Sequence, residues 1–163
     1  HRILFGLAQH QNPKIFDFTF EVSETDADTI ETFLDARANN NSEITCWGTG
    51  SVLREFLYVD DLAEAAIFCL ERWDPSAKNA PLDKFGNKLN HLNVGTGKDI
   101  SIKELATKIA KMTNYKGEII WDKSKPDGTP RKLLNIDKIS SLGWRAKTSL
   151  DEGIKKTIKS LNL

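Results

Sequence analysis

The chain has 163 residues and a formal net charge of zero, from 23 cationic and 23 anionic side chains. Hydrophobic residues make up 39% and charged residues 28%, which is typical of one ordinary domain with a buried core. The balanced charge argues against a broad nucleic-acid-binding face, which needs a basic surface. No apolar run is long enough to predict a membrane-spanning helix. We therefore expect partners that are neither nucleic acid nor membrane.

The cysteine and histidine content predicts no metal site and no disulfide framework. Cys46 and Cys69 are the only cysteines, which favours a reducing compartment, and no secretory signal is visible. We expect a cytoplasmic protein. His1, His10 and His91 lack metal-ligand spacing. The chain begins with His1 rather than Met, which indicates a fragment or a cleaved product.

Residues 1–43 are predicted to form a separate N-terminal segment of one strand and one helix. Aromatic residues alternate with polar ones between Phe16 and Val22, which predicts a strand with one buried face. Acidic residues then precede a predicted helix over 26–38. Residues 44–163 are assigned to a second unit.

Strands and helices alternate irregularly along the chain, which favours an α/β or an α+β layer arrangement, and we predict the α/β class. In the second unit, Asp60 or Asp61 is expected to cap the first helix, and Ser101 opens another through a capping box with Glu104. The predicted strands are 44–47, 54–59, 91–94 and 117–121. The predicted helical segments are 62–73, 102–112, 137–142 and 150–161. Gly143 is expected to end the third of these helices.

Two glycine turns, Gly48–Gly50 and Gly95–Gly97, follow predicted strands. Each resembles the start of the dinucleotide-binding motif Gly-x-Gly-x-x-Gly, but Leu53 and Ile100 occupy the position of its third glycine. We therefore interpret both as tight turns between elements.

A proline-rich loop at 125–132 contains three cations and Asp127. Pro126 and Pro130 stiffen the backbone, so the loop would lose little entropy on binding a ligand, although such segments are usually surface turns. Arg54 could clamp a phosphate or instead pair with Glu55 or Asp60. Trp47 could stack on a nucleoside or belong to the core.

These segments carry a family resemblance when taken in order. Residues 47–50 and 54–63, the Asn93–Gly97 turn, residues 102–106, the loop at 125–132 and residues 142–144 resemble the extended short-chain dehydrogenases that act on nucleotide sugars. The loop at 125–132 resembles the branch that carries out 3,5-epimerisation and 4-reduction of GDP-4-keto-6-deoxymannose. The resemblance covers about residues 44–160, and the first 40 residues depart from it.

The resemblance implies roles for five side chains. Trp47, Arg54 and Asp127 match family positions that contact the GDP-sugar, and Arg131 and Lys132 are additional candidate contacts. Arg54 would neutralise the diphosphate and Trp47 would pack on the nucleoside. Asp127 would accept hydrogen bonds from sugar or ribose hydroxyls, or orient Arg131. The fold implied is the substrate-binding lobe of a Rossmann-type enzyme.

The resemblance also implies parts that this chain lacks. The family uses a glycine-rich loop for NADP(H) and a Tyr-x-x-x-Lys pair for catalysis, whereas Leu62 and Ile119 follow Tyr58 and Tyr115 at that spacing. We therefore expect no catalytic residue and no cofactor site in this chain, and no turnover by it alone. The family also implies a homo-oligomer, a dimer in the parent enzymes.

Two other interpretations stay open from the sequence. The chain could be a free-standing module that binds nucleotide sugars, or a fragment of a related epimerase or dehydratase that acts on another nucleotide sugar.

Overall fold

The computed structural model describes residues 2–4, 19–21 and 25–161. Short strands and helices alternate in an α/β arrangement. The elements are, in chain order, β1 (Arg2–Leu4), β2 (Thr19–Glu21), α1 (Thr25–Ala38), β3 (Glu43–Trp47), β4 (Leu53–Glu55), α2 (Val59–Arg72), β5 (Asp99–Ser101), α3 (Ile102–Thr113), β6 (Glu118–Asp122), β7 (Arg131–Lys132), α4 (Asp137–Ser141) and α5 (Leu150–Leu161).

The strands of this described part form three small sheets. β1 pairs with β2 in antiparallel orientation, and β3 pairs with β6 in parallel orientation with Ile44 opposite Ile119. The third sheet has the order β5-β4-β7, in which β4 is antiparallel to β5 and parallel to β7. The predicted α/β class is confirmed, as are the strands at 44–47 and 117–121.

The main core lies where α1, α3 and α5 pack against one another and against the β3–β6 pair. Its buried side chains come from all of these elements except β6, whose Ile119 and Trp121 pack against the cluster while half-buried. Phe33 of α1 is fully buried and meets the Tyr115 ring edge-on, at 5.5 Å between ring centroids. Residues on both sides of position 43 thus build one core. The buried members are Ile30, Phe33, Leu34, Ala36, Ile44, Leu105, Ala106, Ile109, Tyr115 and Ile154.

Helix α3 starts where the sequence predicts. The Ser101 hydroxyl accepts from the Glu104 amide, while the Glu104 carboxylate accepts from the Ser101 amide, which completes the capping box. The first amides of the helix also donate across to the turn after β3: Ile102 to the Val52 carbonyl and Lys103 to the Gly50 carbonyl. The start of α3 therefore supports the β3–β4 connection.

A second core joins α2 to α4. Ala65 and Cys69 of α2, and Trp73 just after it, are buried against Ile139 and Trp144. The opposite side of α2 is open, with Val59 65%, Ile67 57% and Leu70 47% exposed. The helical spacing of the apolar residues 62, 65, 66, 69, 70 and 73 predicts one buried stripe, and for Leu70 that prediction is wrong. No helix in the described residues is long and apolar enough to cross a membrane.

The predicted cap of α2 is also wrong. The helix begins at Val59 after Tyr58, which makes no side-chain capping bond, so Asp60 and Asp61 lie inside the first turn. There the acidic side chains suit the positive end of the helix dipole. Asp61 is 5% exposed and accepts from the amides of Lys147 and Thr148 and from the Thr148 hydroxyl. Asp61 therefore fastens the segment before α5 onto α2.

Two predicted strands differ from the structure, and a third lies only partly within the described residues. The strand at 54–59 is shorter, because β4 ends at Glu55 and Val59 already belongs to α2. Residues 91–94 form no strand, because no described strand lies beside them to complete a ladder; Leu92 and Val94 instead pack against the second core. The predicted strand from Phe16 to Val22 falls partly on β2, and its remaining residues lie outside the described part of the chain.

We predict that Asp61→Ala lowers the free energy of unfolding by about 1–3 kcal/mol, because it leaves two partly buried amides and a hydroxyl without their acceptor. Asp60→Ala is the matched control, since Asp60 is exposed in the same helical turn. It should cost less than about 1 kcal/mol, through the helix dipole alone. Urea denaturation of the three proteins measures both values. Equal losses for the two variants would contradict the anchoring role of Asp61.

Candidate substrate-binding site

The turn after β3 presents Trp47 to solvent. Gly48 and Gly50 both adopt positive φ, at 76° and 72°, a region that favours glycine. Gly50 also lies against the Trp121 ring, where an added Cβ would stand 2.6 Å from ring carbons. Trp121 takes the inner position beneath the turn, and Trp47 is 73% exposed. The structure thus excludes the core position for Trp47 that the sequence left open.

Asp127 is held against this turn by Thr49. One carboxylate oxygen accepts from the Thr49 amide at 2.8 Å, and the other accepts from the Thr49 hydroxyl at 2.6 Å. Because these bonds favour the ionised form, first the hydroxyl and then the amide lower the pKa of Asp127. A Cβ at Gly48 would stand 2.3 Å from the carboxylate, so the turn admits this contact only with glycine there.

Arg54 crosses from β4 to the same loop. Its Nη1 donates to the carbonyls of Leu53 and Thr129, both at 2.7 Å. Its Nη2 lies 3.1 Å from the position that a Cβ at Gly128 would occupy. The structure therefore places the guanidinium beside the middle of the proline-rich loop, where it donates to backbone carbonyls rather than to Glu55 or Asp60.

Arg131 and Lys132 end the loop as the edge strand β7. Arg131 Nε donates to Asp99 at 2.5 Å, which lowers the pKa of Asp99 and raises that of Arg131. The suggestion that Asp127 orients Arg131 is therefore wrong. Lys132 is the register partner of Arg54. Because side chains alternate along a strand, Lys132 shares the Arg54 face of the sheet and Arg131 lies on the other.

The structure thus brings four of the five predicted residues to one surface and turns Arg131 away. Asp127 is bonded to Thr49, two residues after Trp47, and Arg54 and Lys132 share one face of the β5-β4-β7 sheet. A hollow of about 500 Å³ lies elsewhere, beside α4. It includes none of the five predicted residues, and its lining consists of Thr96, Gly97, Lys98, Ile136, Asp137, Ser140, Ser141 and Arg145.

Sequence reasoning missed two contributors to this surface. Lys125 places its Nζ 5.3 Å from the centroid of the Trp47 ring, so a cation already covers one side of that ring. Thr49 supplies the donors that hold Asp127. The only sequence signal for Thr49 is a hydroxyl between two glycines of a turn, which does not name its partner.

Neither glycine turn in the described residues fits the phosphates of a dinucleotide. The Gly48–Gly50 turn leads into strand β4 rather than into a helix, and its Thr49 amide already donates to Asp127. In the Gly95–Gly97 turn, the amides of Thr96 and Gly97 donate to the Glu55 carboxylate. A carboxylate in that place would repel a phosphate.

The cysteines give no sign of nucleophilic chemistry. Cys46 is half-buried in β3 and Cys69 is buried in the second core, and both are free thiols. Burial raises the pKa of each, which disfavours the reactive thiolate.

Comparison with known proteins identifies similar sequences. A family model described as the NAD dependent epimerase/dehydratase family matches residues 20–95. Over 130 residues the chain is 45% identical to a probable GDP-L-fucose synthase 1 of Oryza sativa, covering 80% of this chain and 36% of that protein. Over 128 residues it is 44% identical to the GDP-L-fucose synthase of Escherichia coli K12, covering 78% of this chain and 39% of that protein.

The chain is similar to members of the NAD-dependent epimerase/dehydratase family over the matched residues and to the two synthases named above. Among solved structures, the GDP-mannoheptose C4 reductase of Campylobacter jejuni with NADP bound is 31% identical to this chain, with a TM-score of 0.72. The alignment covers 88% of this chain and 46% of that one. The chain spans about a third of the length of the curated relatives that it matches, at 36% and 39% of the two named above. These relatives are thus associated with a nicotinamide cofactor, and this chain corresponds to a C-terminal region of them.

We predict that Thr49→Val raises the pKa of Asp127 toward its ordinary value, because the hydroxyl bond that lowers it most is removed. Because folding lowers the pKa of Asp127, its ionised carboxylate stabilises the folded chain at pH values above about 3.9, the pKa of an unfolded aspartate. This stabilisation is lost as the pH falls through the lower pKa of the folded chain. Carbon-detected NMR titration of the Asp127 carboxyl measures the change. Thr107→Val, which removes an exposed hydroxyl on α3, is the control. An unchanged pKa in Thr49→Val would contradict the assignment.

Proposed function

We propose that this chain supplies the GDP-sugar-binding part of an NADP-dependent GDP-L-fucose synthase, which epimerises GDP-4-keto-6-deoxymannose at C3 and C5 and reduces it at C4. One observation carries the proposal: the exposed Trp47 and the Arg54 guanidinium flank a loop that Thr49 holds in place through Asp127. The relatives named above as GDP-L-fucose synthases support it.

Arg54 is proposed to bind the diphosphate. Its guanidinium is fixed by two carbonyls, so it loses little side-chain freedom when an anion arrives. Gly128 leaves room beside Nη2, where a larger side chain would crowd the guanidinium. Lys132 adds positive charge on the same face of the sheet. Each charged hydrogen bond in such a contact contributes roughly 1.5–3 kcal/mol.

Trp47 is proposed to pack against the nucleoside. Its ring is largely in solvent, and Lys125 already lies over one side of it. A base that stacks on the other side of the ring would bury apolar area of both rings.

Asp127 is proposed to do two things at once. Its bonds to Thr49 fix the start of the loop, and each carboxylate oxygen still has a lone pair for a second donor. A sugar or ribose hydroxyl could therefore donate to it without breaking the contact. Arg131 is proposed to act indirectly, because its ion pair with Asp99 fastens the other end of the loop.

We predict that Arg54→Ala weakens binding of GDP-mannose or GDP-fucose by about 10- to 100-fold, from the loss of charged hydrogen bonds of roughly 1.5–3 kcal/mol. Asp127→Ala should weaken it by a similar or smaller factor, because the loop loses its anchor. Isothermal titration of the 163-residue chain measures the affinities. Arg72→Ala, which removes an exposed arginine at the end of α2, is the matched control. Affinities that stay equal in all four proteins would show that the site is misassigned.

We also propose that the chain forms a homo-oligomer through the outer side of α2. Val59, Ile67 and Leu70 leave an apolar surface there that a second copy could cover. Sedimentation velocity should show self-association that weakens in the double variant Ile67→Lys and Leu70→Lys. A double variant in which Lys78 and Lys84, both exposed, become Ala is the control. A chain that sediments as a monomer at all concentrations would contradict this proposal without touching the substrate site.

A further inference from the structure

The Glu55 carboxylate joins three parts of the chain that are distant in sequence. Its Oε1 accepts from the Thr96 amide at 2.6 Å, from the Gly97 amide at 2.5 Å and from the Thr96 hydroxyl at 3.2 Å. Its Oε2 accepts from the Leu134 amide at 3.0 Å. One side chain at the end of β4 thus holds both the Gly95–Gly97 turn and the segment that follows β7.

The surroundings of Glu55 are shaped to admit this contact. A Cβ at Gly95 would stand 2.5 Å from Oε1, so the backbone approaches the carboxylate as closely as glycine allows. Successive backbone amides that converge on one anion form a concave donor site. Hydrogen bonds from amides to an ionised acceptor are stronger than those between neutral groups.

The contact bears directly on Arg54, its neighbour in β4. Alternation along the strand puts the two side chains on opposite faces of the β5-β4-β7 sheet. Glu55 fixes one face through Thr96, Gly97 and Leu134, while Arg54 projects from the other toward Thr129 and the loop. The bond to Leu134 also fastens the chain two residues after Lys132, the register partner of Arg54.

We propose that Glu55 is a positioning residue for diphosphate binding: it fixes β4 and the end of the loop at 125–132 so that the Arg54 guanidinium is held ready for the anion. This inference rests on the proposed function, because it assumes that Arg54 binds the diphosphate. Glu55 itself does not touch the ligand, since its carboxylate faces the other side of the sheet. If Glu55 only stabilised the fold, its substitution would leave the ratio of GDP affinity to GMP affinity unchanged.

The test is a double-mutant cycle between Arg54→Ala and Glu55→Gln, with GDP and GMP as probes. Glu55→Gln replaces one acceptor oxygen by an NH2 group facing backbone donors, so it should lower GDP affinity at least fivefold while GMP affinity changes by less than twofold. In the Arg54→Ala background the same substitution should have no further effect on GDP affinity, because its effect passes through Arg54. Glu118→Gln, which neutralises an exposed glutamate on β6, is the control and should bind as the parent chain does.

The outcomes separate this inference from the function on which it rests. If Arg54→Ala leaves GDP affinity unchanged, the proposed function fails. If Arg54→Ala weakens binding but Glu55→Gln has no effect, or an equal effect in both backgrounds, the positioning role fails.

Should Glu55→Gln not unfold cooperatively, Gly95→Ala takes its place in the cycle. It leaves the charge in place and pushes the carboxylate from its position, and the same coupled loss of GDP affinity is expected.

Discussion

The surface that we assign to the substrate depends on how the loop at 125–132 is fastened to the two strands before it. All residues of this loop are exposed, and apart from the short β7 ladder its own backbone makes few bonds. Side chains hold it instead: Thr49 holds Asp127, Arg54 holds the Thr129 carbonyl, and Asp99 holds Arg131. The prolines at 126 and 130 reduce the freedom that these bonds must overcome.

This arrangement relates the fold to the site. The parallel β3–β6 pair ends at the Gly48–Gly50 turn, and the start of α3 donates two amides to the carbonyls of that turn and its exit. The turn is therefore supported by the main core, through α3, although Trp47 itself stands in solvent. An exposed aromatic on a supported turn loses little entropy on binding, which suits it to stacking.

The sequence predicted most helices, because their apolar periodicity is long and their caps are local, and it predicted β3 and β6 as strands but not their parallel pairing. The Ser101–Glu104 capping box and the final helix are examples. It failed where the outcome depended on distant partners. Residues 91–94 have the composition of a strand, yet no described strand is there to pair with them. Asp61 looked like a helix cap, but donors 86 and 87 residues away hold it.

The same distinction applies to the site. Trp47, Arg54 and Asp127 were identified through a family resemblance, and the structure brings them together. Local spacing did not reveal Thr49 or Glu55, because their partners lie 78 and 79 residues further along the chain. Nor did it reveal that Arg131 turns away to Asp99, which follows from the alternation of side chains in β7.

The most direct test of the central claim is an amide and indole NMR titration of the chain with GDP. We expect the largest changes in chemical shift at the Trp47 indole and at the amides of Thr49, Gly128 and Thr129, and we expect all four to saturate together. Changes centred on the hollow beside α4, or no saturable change at those four positions, would contradict the claim that this surface binds the nucleotide.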